Sequence, residues 1–194
     1  MDNTPIASAL TLRAMASAFD AQRGKLPKAD ERHRFPDVIA VARQITELAK
    51  LTEDLSDEVL FRAAESDQAP GTARAIGSFA EAITPASAAT AALGSVAQQL
   101  AFLNRTEHLR EQPDAADARA AAHMVIEDAL DSAGAALHET ARVLSDASAS
   151  LSLPSNRIRA ARSRSTTASS TSVAPAQAAV PKSVTPLGRQ SQGR

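Results

Sequence analysis

Cysteine, tryptophan and tyrosine do not occur in this 194-residue chain, and five phenylalanines are its only aromatic side chains. Without cysteine there is no disulfide, no thiolate nucleophile and no Cys-ligated zinc or iron–sulfur centre. That composition fits a reducing compartment, and a cytoplasmic location is the expectation. The opening Met1-Asp2-Asn3-Thr4-Pro5 has neither the basic nor the apolar region of a secretory signal. No run approaches the roughly 20 apolar residues of a membrane-spanning helix, so no span is expected. The seven glycines are scattered, which leaves no phosphate-cradling loop and no Gly-x-Ser-x-Gly elbow. His33, His108, His123 and His138 each stand among polar residues. The residues point away from an enzyme, and no cofactor is expected.

Alanine is abundant instead. It occurs 44 times, against 38 occurrences of Leu, Ile, Val and Phe together. Alanine favours helix but contributes little buried area, so abundant helix and a thin core are expected. Arginine outnumbers lysine 17 to 4, a bias that reads as that of a GC-rich bacterial genome.

Charge divides the chain. Residues 1–151 hold 14 basic and 22 acidic side chains, net −8, and the last acidic residue is Asp146. Residues 152–194 hold seven basic side chains and no acidic one, net +7. From 152 onward the composition is Ser, Thr, Ala, Pro and Gln without apolar periodicity, the pattern of a segment that cannot bury enough surface to offset its ordering entropy. Two regions are therefore expected: an acidic Ala-rich helical bundle over 1–151 and a disordered basic tail over 152–194.

Within the body no stretch alternates with period two, and the apolar spacing is helical throughout. Thr4-Pro5 is a cap followed by proline at the first helical position, opening a helix to about residue 22. A charged loop over 24–35 follows. A second helix opens near Pro36, with Val38, Val41, Ala42, Ile45, Leu48 and Ala49 inward. Ser56 is read as the cap of a short third helix burying Val59, Leu60, Ala63 and Ala64. Pro70-Gly71 breaks it, and a fourth helix carries Ala73, Ile76, Phe79, Ala80 and Ile83. Thr84-Pro85 opens a fifth, running to about residue 112 with Ala89, Leu93, Val96, Leu100 and Leu103 on one face. Pro113-Asp114 starts the sixth and longest, with Ile126, Leu130, Ala133, Leu137, Ala141 and Leu144 as its core stripe. The short link between the last two requires an antiparallel hairpin. The expectation is an all-α antiparallel bundle of about four to six helices, built on a long C-terminal hairpin of coiled-coil character.

Three features carry candidate chemistry. His123, Glu127, Asp131 and His138 fall within an arc of about 80° on the last helix, at spacings that suit a divalent metal in a bundle; a solvated polar edge has the same pattern. Phe102 and Leu109 point about 160–180° away from the Leu93–Leu100–Leu103 face, which marks either a central helix or a partner surface. Arg157, Arg159, Arg162 and Arg164 lie within eight residues of the tail, and guanidinium forks fit phosphate oxygens. With no aromatic residue in the tail to stack on bases, nucleic-acid contact there would be electrostatic and sequence-blind. A helix-turn-helix over the second and third helices is excluded by charge, since the would-be reading helix carries Asp57, Glu58, Glu65 and Asp67 against Arg62.

These features favour a non-enzymatic interaction or assembly module. Its helical body would bind a protein partner or itself, and its tail would tether to an anionic surface. A nucleic-acid-associated accessory protein and a small metal-binding bundle or enzyme using helix 114–148 are the alternatives.

Overall fold

The computed structural model describes residues 4–27, 36–64 and 70–152. These form four α-helices and one turn of 3-10 helix: α1 (Thr4–Gly24), α2 (Val38–Ala64), α3 (Pro70–Arg105), the 3-10 turn (Glu107–Leu109) and α4 (Pro113–Ser152). No strand occurs among the described residues, and no described helix is long and apolar enough to cross a membrane. The tail expected over 152–194 lies outside the described residues beyond its first one.

Each helix buries a stripe at alternating spacings of three and four. On α1 the inward positions are Ser8, Leu12, Met15, Phe19 and Gln22. On α2 they are Val41, Ile45, Leu48, Leu55, Val59 and Arg62. On α3 the stripe runs without a break through Ala75, Phe79, Ala82, Ala86, Ala89, Leu93, Val96, Leu100 and Leu103. This is the 3.5-residue repeat of knobs-into-holes packing, in which neighbouring helices interlock at a shallow crossing angle. On α4 the stripe Ile126, Leu130, Ala133, Leu137, Ala141 and Leu144 is buried as expected.

The helices run up, down, up and down. The Ser148 hydroxyl donates to the Ala9 carbonyl at 2.7 Å at one end of the α1–α4 pair, while Gly134 lies against Leu26 at the other. Arg62 meets Ser8, and Glu47 meets Gln22, across α1 and α2. Arg62 also lies over the Phe79 ring, which orients α2 against α3. The most extensive interface is between α3 and α4, followed by α1 on α4 and α2 on α3; the contacts of α1 with α3 and with α2 are much smaller. Small side chains at Ala75, Ala82, Ala86 and Ala89 of α3 and Ala133, Ala141 and Ala147 of α4 are among the buried residues of these two helices.

Two expected helix boundaries are not there. Ser56 does not cap a new helix. α2 passes through it, and its hydroxyl donates to the Thr52 carbonyl one turn back. The buried series Leu48, Leu55 and Arg62 carries the helix across, so packing overrides a local cap signal. Thr84-Pro85 likewise does not start a helix, because Pro85 sits inside α3. Proline there deprives the Glu81 carbonyl of its helical donor, at a cost on the order of 3 kcal/mol. Glu81 is exposed, so water can serve that carbonyl, and the fully buried Ala82, Ala86 and Ala89 hold the chain helical on either side. Six expected helices therefore become four.

The inward faces shift accordingly. Ala42 and Ala49 on α2 and Ala73 and Ala80 on α3 are exposed, because a 3.5-residue seam is narrower than a general amphipathic arc. Leu60, Ala63 and Ala64, expected inside, are also exposed. α2 begins where Asp37 accepts the Ile39 N–H on its carboxylate at 3.2 Å and the Val41 N–H on its carbonyl at 3.1 Å, an acidic N-cap.

The hairpin turn is tighter than the expected helix to residue 112. α3 stops at Arg105, and Arg119 of α4 closes it. The Arg119 guanidinium donates to the Leu103 carbonyl at 2.6 Å, to the Thr106 hydroxyl at 3.0 Å and to the Glu107 carboxylate at 2.6 Å. A cation on the orphan carbonyls of a helix C-terminus is favourable for both hydrogen bonding and the helix dipole.

Candidate functional site

The feature with most functional content is the end of the bundle where α1 begins and α2 ends. Leu60 and Phe61 are 68 % and 67 % exposed, and Ile6 and Leu10 are each 62 % exposed. The reason lies in the α2 repeat. With Leu55, Val59 and Arg62 facing inward, positions 60 and 61 fall to either side of the outward direction at about 100° per residue. The Arg62–Ser8 hydrogen bond ties the two helix ends together. Ile6 and Leu10 line an open groove of about 280 Å³ with Ala9, Arg13, Ser148 and Leu151, between the start of α1 and the end of α4. Single exposed apolar side chains, such as Ile39 and Met124 here, are ordinary, whereas clustered ones mark a surface that binds something; Leu60 and Phe61 are adjacent in the chain. Neither Leu60 nor Phe61 is singled out by the sequence pattern alone. Continuing the 41–48–55–62 series through Ser56, instead of restarting there, would have placed both outside.

Beneath this end lies Arg62, one of the few charged residues buried in the body. Its Nε donates to Glu58 at 2.9 Å and its Nη1 to the Ser8 hydroxyl at 2.8 Å, and its Nη2 lies 2.6 Å from the same Glu58 oxygen. The guanidinium carbon is 5.1 Å from the Phe79 ring centre. Every polar face of the guanidinium is thus engaged and its flat face rests on an aromatic, the arrangement that makes a buried arginine tolerable.

Further along, the α1–α2 seam is polar again. Glu47 accepts from Gln22 Nε2 at 2.8 Å and from Lys25 Nζ at 2.9 Å, and Gln44 Nε2 donates to the Gln22 carbonyl at 3.0 Å. The hydrogen bond from Lys25, then that from Gln22 and the Lys25 charge, hold the Glu47 carboxyl below the ordinary carboxylate range. A depressed carboxyl contributes stability above its unfolded pKa and loses it as pH falls through the folded value. The thermal midpoint is therefore expected to fall as pH drops below about 4.5, and Glu47→Gln is expected to flatten part of that fall. Midpoints of the two proteins measured over the acid range check this; parallel curves would remove Glu47 as a contributor.

The candidate metal residues are not brought together. His123 lines a groove of about 610 Å³ with Val38, Leu100, Leu103 and Arg119. Glu127 and Asp131 line a second of about 500 Å³ with Arg23 and Leu26. His138 lies in a third of about 520 Å³ with Asp20, Arg142 and Asp146. The shared arc is real, but fifteen residues of helix separate His123 from His138 by about 22 Å along the axis. Among the described residues no group of three His, Asp or Glu side chains is placed to hold a metal ion.

Phe102 is half-buried and packs against the core beside Leu103. Leu109 is half-buried in the 3-10 turn rather than on α3, so its expected helical direction does not apply. Arg157, Arg159, Arg162 and Arg164 lie outside the described residues. No family model, no curated protein and no solved structure matches the chain.

Proposed function

We propose that the helical body is a non-enzymatic protein-interaction or assembly module, that it engages a partner or a second copy through the apolar end carrying Ile6, Leu10, Leu60 and Phe61, and that the basic tail tethers it to an anionic surface. The observation that supports this reading is the exposure of Leu60 and Phe61 at adjacent positions that the bundle's own packing leaves unused. An interaction site of this kind needs no cofactor and no enclosed pocket. The grooves above are open, and within them Arg119 pairs with Glu107 and Arg142 with Asp146. Charge at the tail has a simple use here, since seven basic side chains without an acidic one supply affinity for phosphate-bearing surfaces that weakens with salt.

The self-assembly form of this reading predicts a solution mass above 20.2 kDa for the full chain at high micromolar concentration. Leu60→Asp combined with Phe61→Asp is expected to return the mass to that of one chain. The far-UV circular dichroism should stay unchanged, because exposed substitutions ordinarily move stability by no more than about 0.5 kcal/mol each. Light scattering behind a sizing column reads both. A wild-type chain that stays monomeric ends the self-assembly form. A double variant that assembles like the wild type moves the contact away from this end.

A further inference from the structure

We infer that the seam between α1 and α2 is the joint at which this bundle opens, with α1 remaining on α4 and α2 remaining on α3. Four observations converge on it. It is the least extensive of the four seams between neighbouring helices. Its residue-level contacts are polar: Arg62 with Ser8, Gln22 and Lys25 with Glu47, and Gln44 with the Gln22 carbonyl. Inward positions that hold alanine or leucine on α3 hold Ser8 and Gln22 on α1, and Arg62 on α2. Finally, the Gln22 side-chain oxygen is buried without a hydrogen-bond partner.

The physical consequence follows from what opening would cost at each seam. Separating α3 from α4 exposes a long apolar stripe and breaks the Arg119 clamp on the end of α3. Separating α1 from α2 breaks polar contacts that water can replace and parts a far smaller interface. Polar contacts exchanged for water have little net value. The buried Gln22 oxygen gains a partner when water enters, so its desolvation penalty is recovered in the open form. Proteins open in cooperative units drawn from their least apolar contacts, and this seam defines such a unit. The inference does not rest on the interaction reading: a chain that binds nothing through its apolar end opens here all the same.

The absence of cysteine makes the test clean, because a single introduced thiol is the only one to react. Gln44→Cys places a thiol in the α1–α2 seam, and Thr140→Cys places one on the α4 stripe. Both sites are buried. With a thiol reagent in excess under native conditions, and each rate referred to the variant's own unfolding curve, the Gln44→Cys thiol is expected to react at least about tenfold faster than the Thr140→Cys thiol. Equal rates would mean that both thiols are reached only by global unfolding, which overturns the joint. Gln22→Cys in the same seam and Ala133→Cys on the α4 stripe, both at buried positions, supply a second pair should either first variant fail to fold. The Gln22→Cys thiol is expected to react at least about tenfold faster than the Ala133→Cys thiol. Equal rates in this pair overturn the inference in the same way.

Discussion

Phe79→Ala is expected to lower the unfolding free energy by about 3–5 kcal/mol. Phe79 is fully buried on α3, one of two phenylalanines in that state among the described residues, the other being Phe19. Its neighbours on the stripe are Ala75, Ala82 and Ala86, which are too short to close over the space a deleted ring leaves. The cavity term should therefore be felt nearly in full. Domains of this kind are stable by only about 5–15 kcal/mol, so about a fifth or more of the total is at stake. The thermal midpoint should fall by about 6–20 °C. Far-UV circular dichroism reads the transition, since there is no tryptophan or tyrosine to report by fluorescence. A loss below about 1 kcal/mol would show that the ring is not packed as described.

The second large effect is at the residue above that ring. Arg62→Ala is expected to cost about 3 kcal/mol. It strands the Glu58 carboxylate, which is only 27 % exposed, takes the donor from the Ser8 hydroxyl and uncovers the Phe79 face. Removing the partner charge together with the arginine relieves most of this. Arg62→Met combined with Glu58→Gln is expected to lie within about 1 kcal/mol of wild type, because a buried pair replaced by groups of similar shape is often neutral. Urea unfolding of the single and double variants distinguishes the two outcomes. If the double variant is as unstable as Arg62→Ala, the pair contributes more than the desolvation it costs. Because Arg62 and Phe79 touch, the Arg62→Ala and Phe79→Ala losses should not add; the double loss should fall short of the sum by about 0.5–1.5 kcal/mol.

Much of the fold was legible because local rules and packing agree over long stretches. The α4 stripe from Ile126 to Leu144 is buried where its spacing places it. The proline at the start of α4 sits at its first residue. The antiparallel hairpin follows from a connection too short for anything else. Reading failed where a local signal and the tertiary repeat disagree. Ser56 has the side chain of a cap, and Thr84-Pro85 has the form of a helix start, yet both lie inside helices. In each case the residues on either side continue a buried series, and their packing outweighs a cap worth about 1 kcal/mol or a proline penalty of about 3. Misplacing the Ser56 boundary also misplaced Leu60, and with it the apolar end.

The candidate metal residues lie apart for a different reason. Angle around a helix is readable from spacing, but distance along it and the neighbours across the groove belong to the other helices. His123, Glu127 with Asp131, and His138 each face a different part of the bundle.

By itself the sequence determined that this chain is helical and Ala-rich, which residues form the apolar stripe of α4, and how charge is split between body and tail, because these depend on composition and on contacts within a few residues. Only the tertiary structure decided that six segments are four helices, that Arg62 is buried against Phe79 while Leu60 and Phe61 are not, and that the α1–α2 seam is polar. Those outcomes depend on side chains brought together from distant parts of the chain, such as Ser8 with Arg62 and Ala9 with Ser148, and the energy of such contacts is what overrides the local preferences.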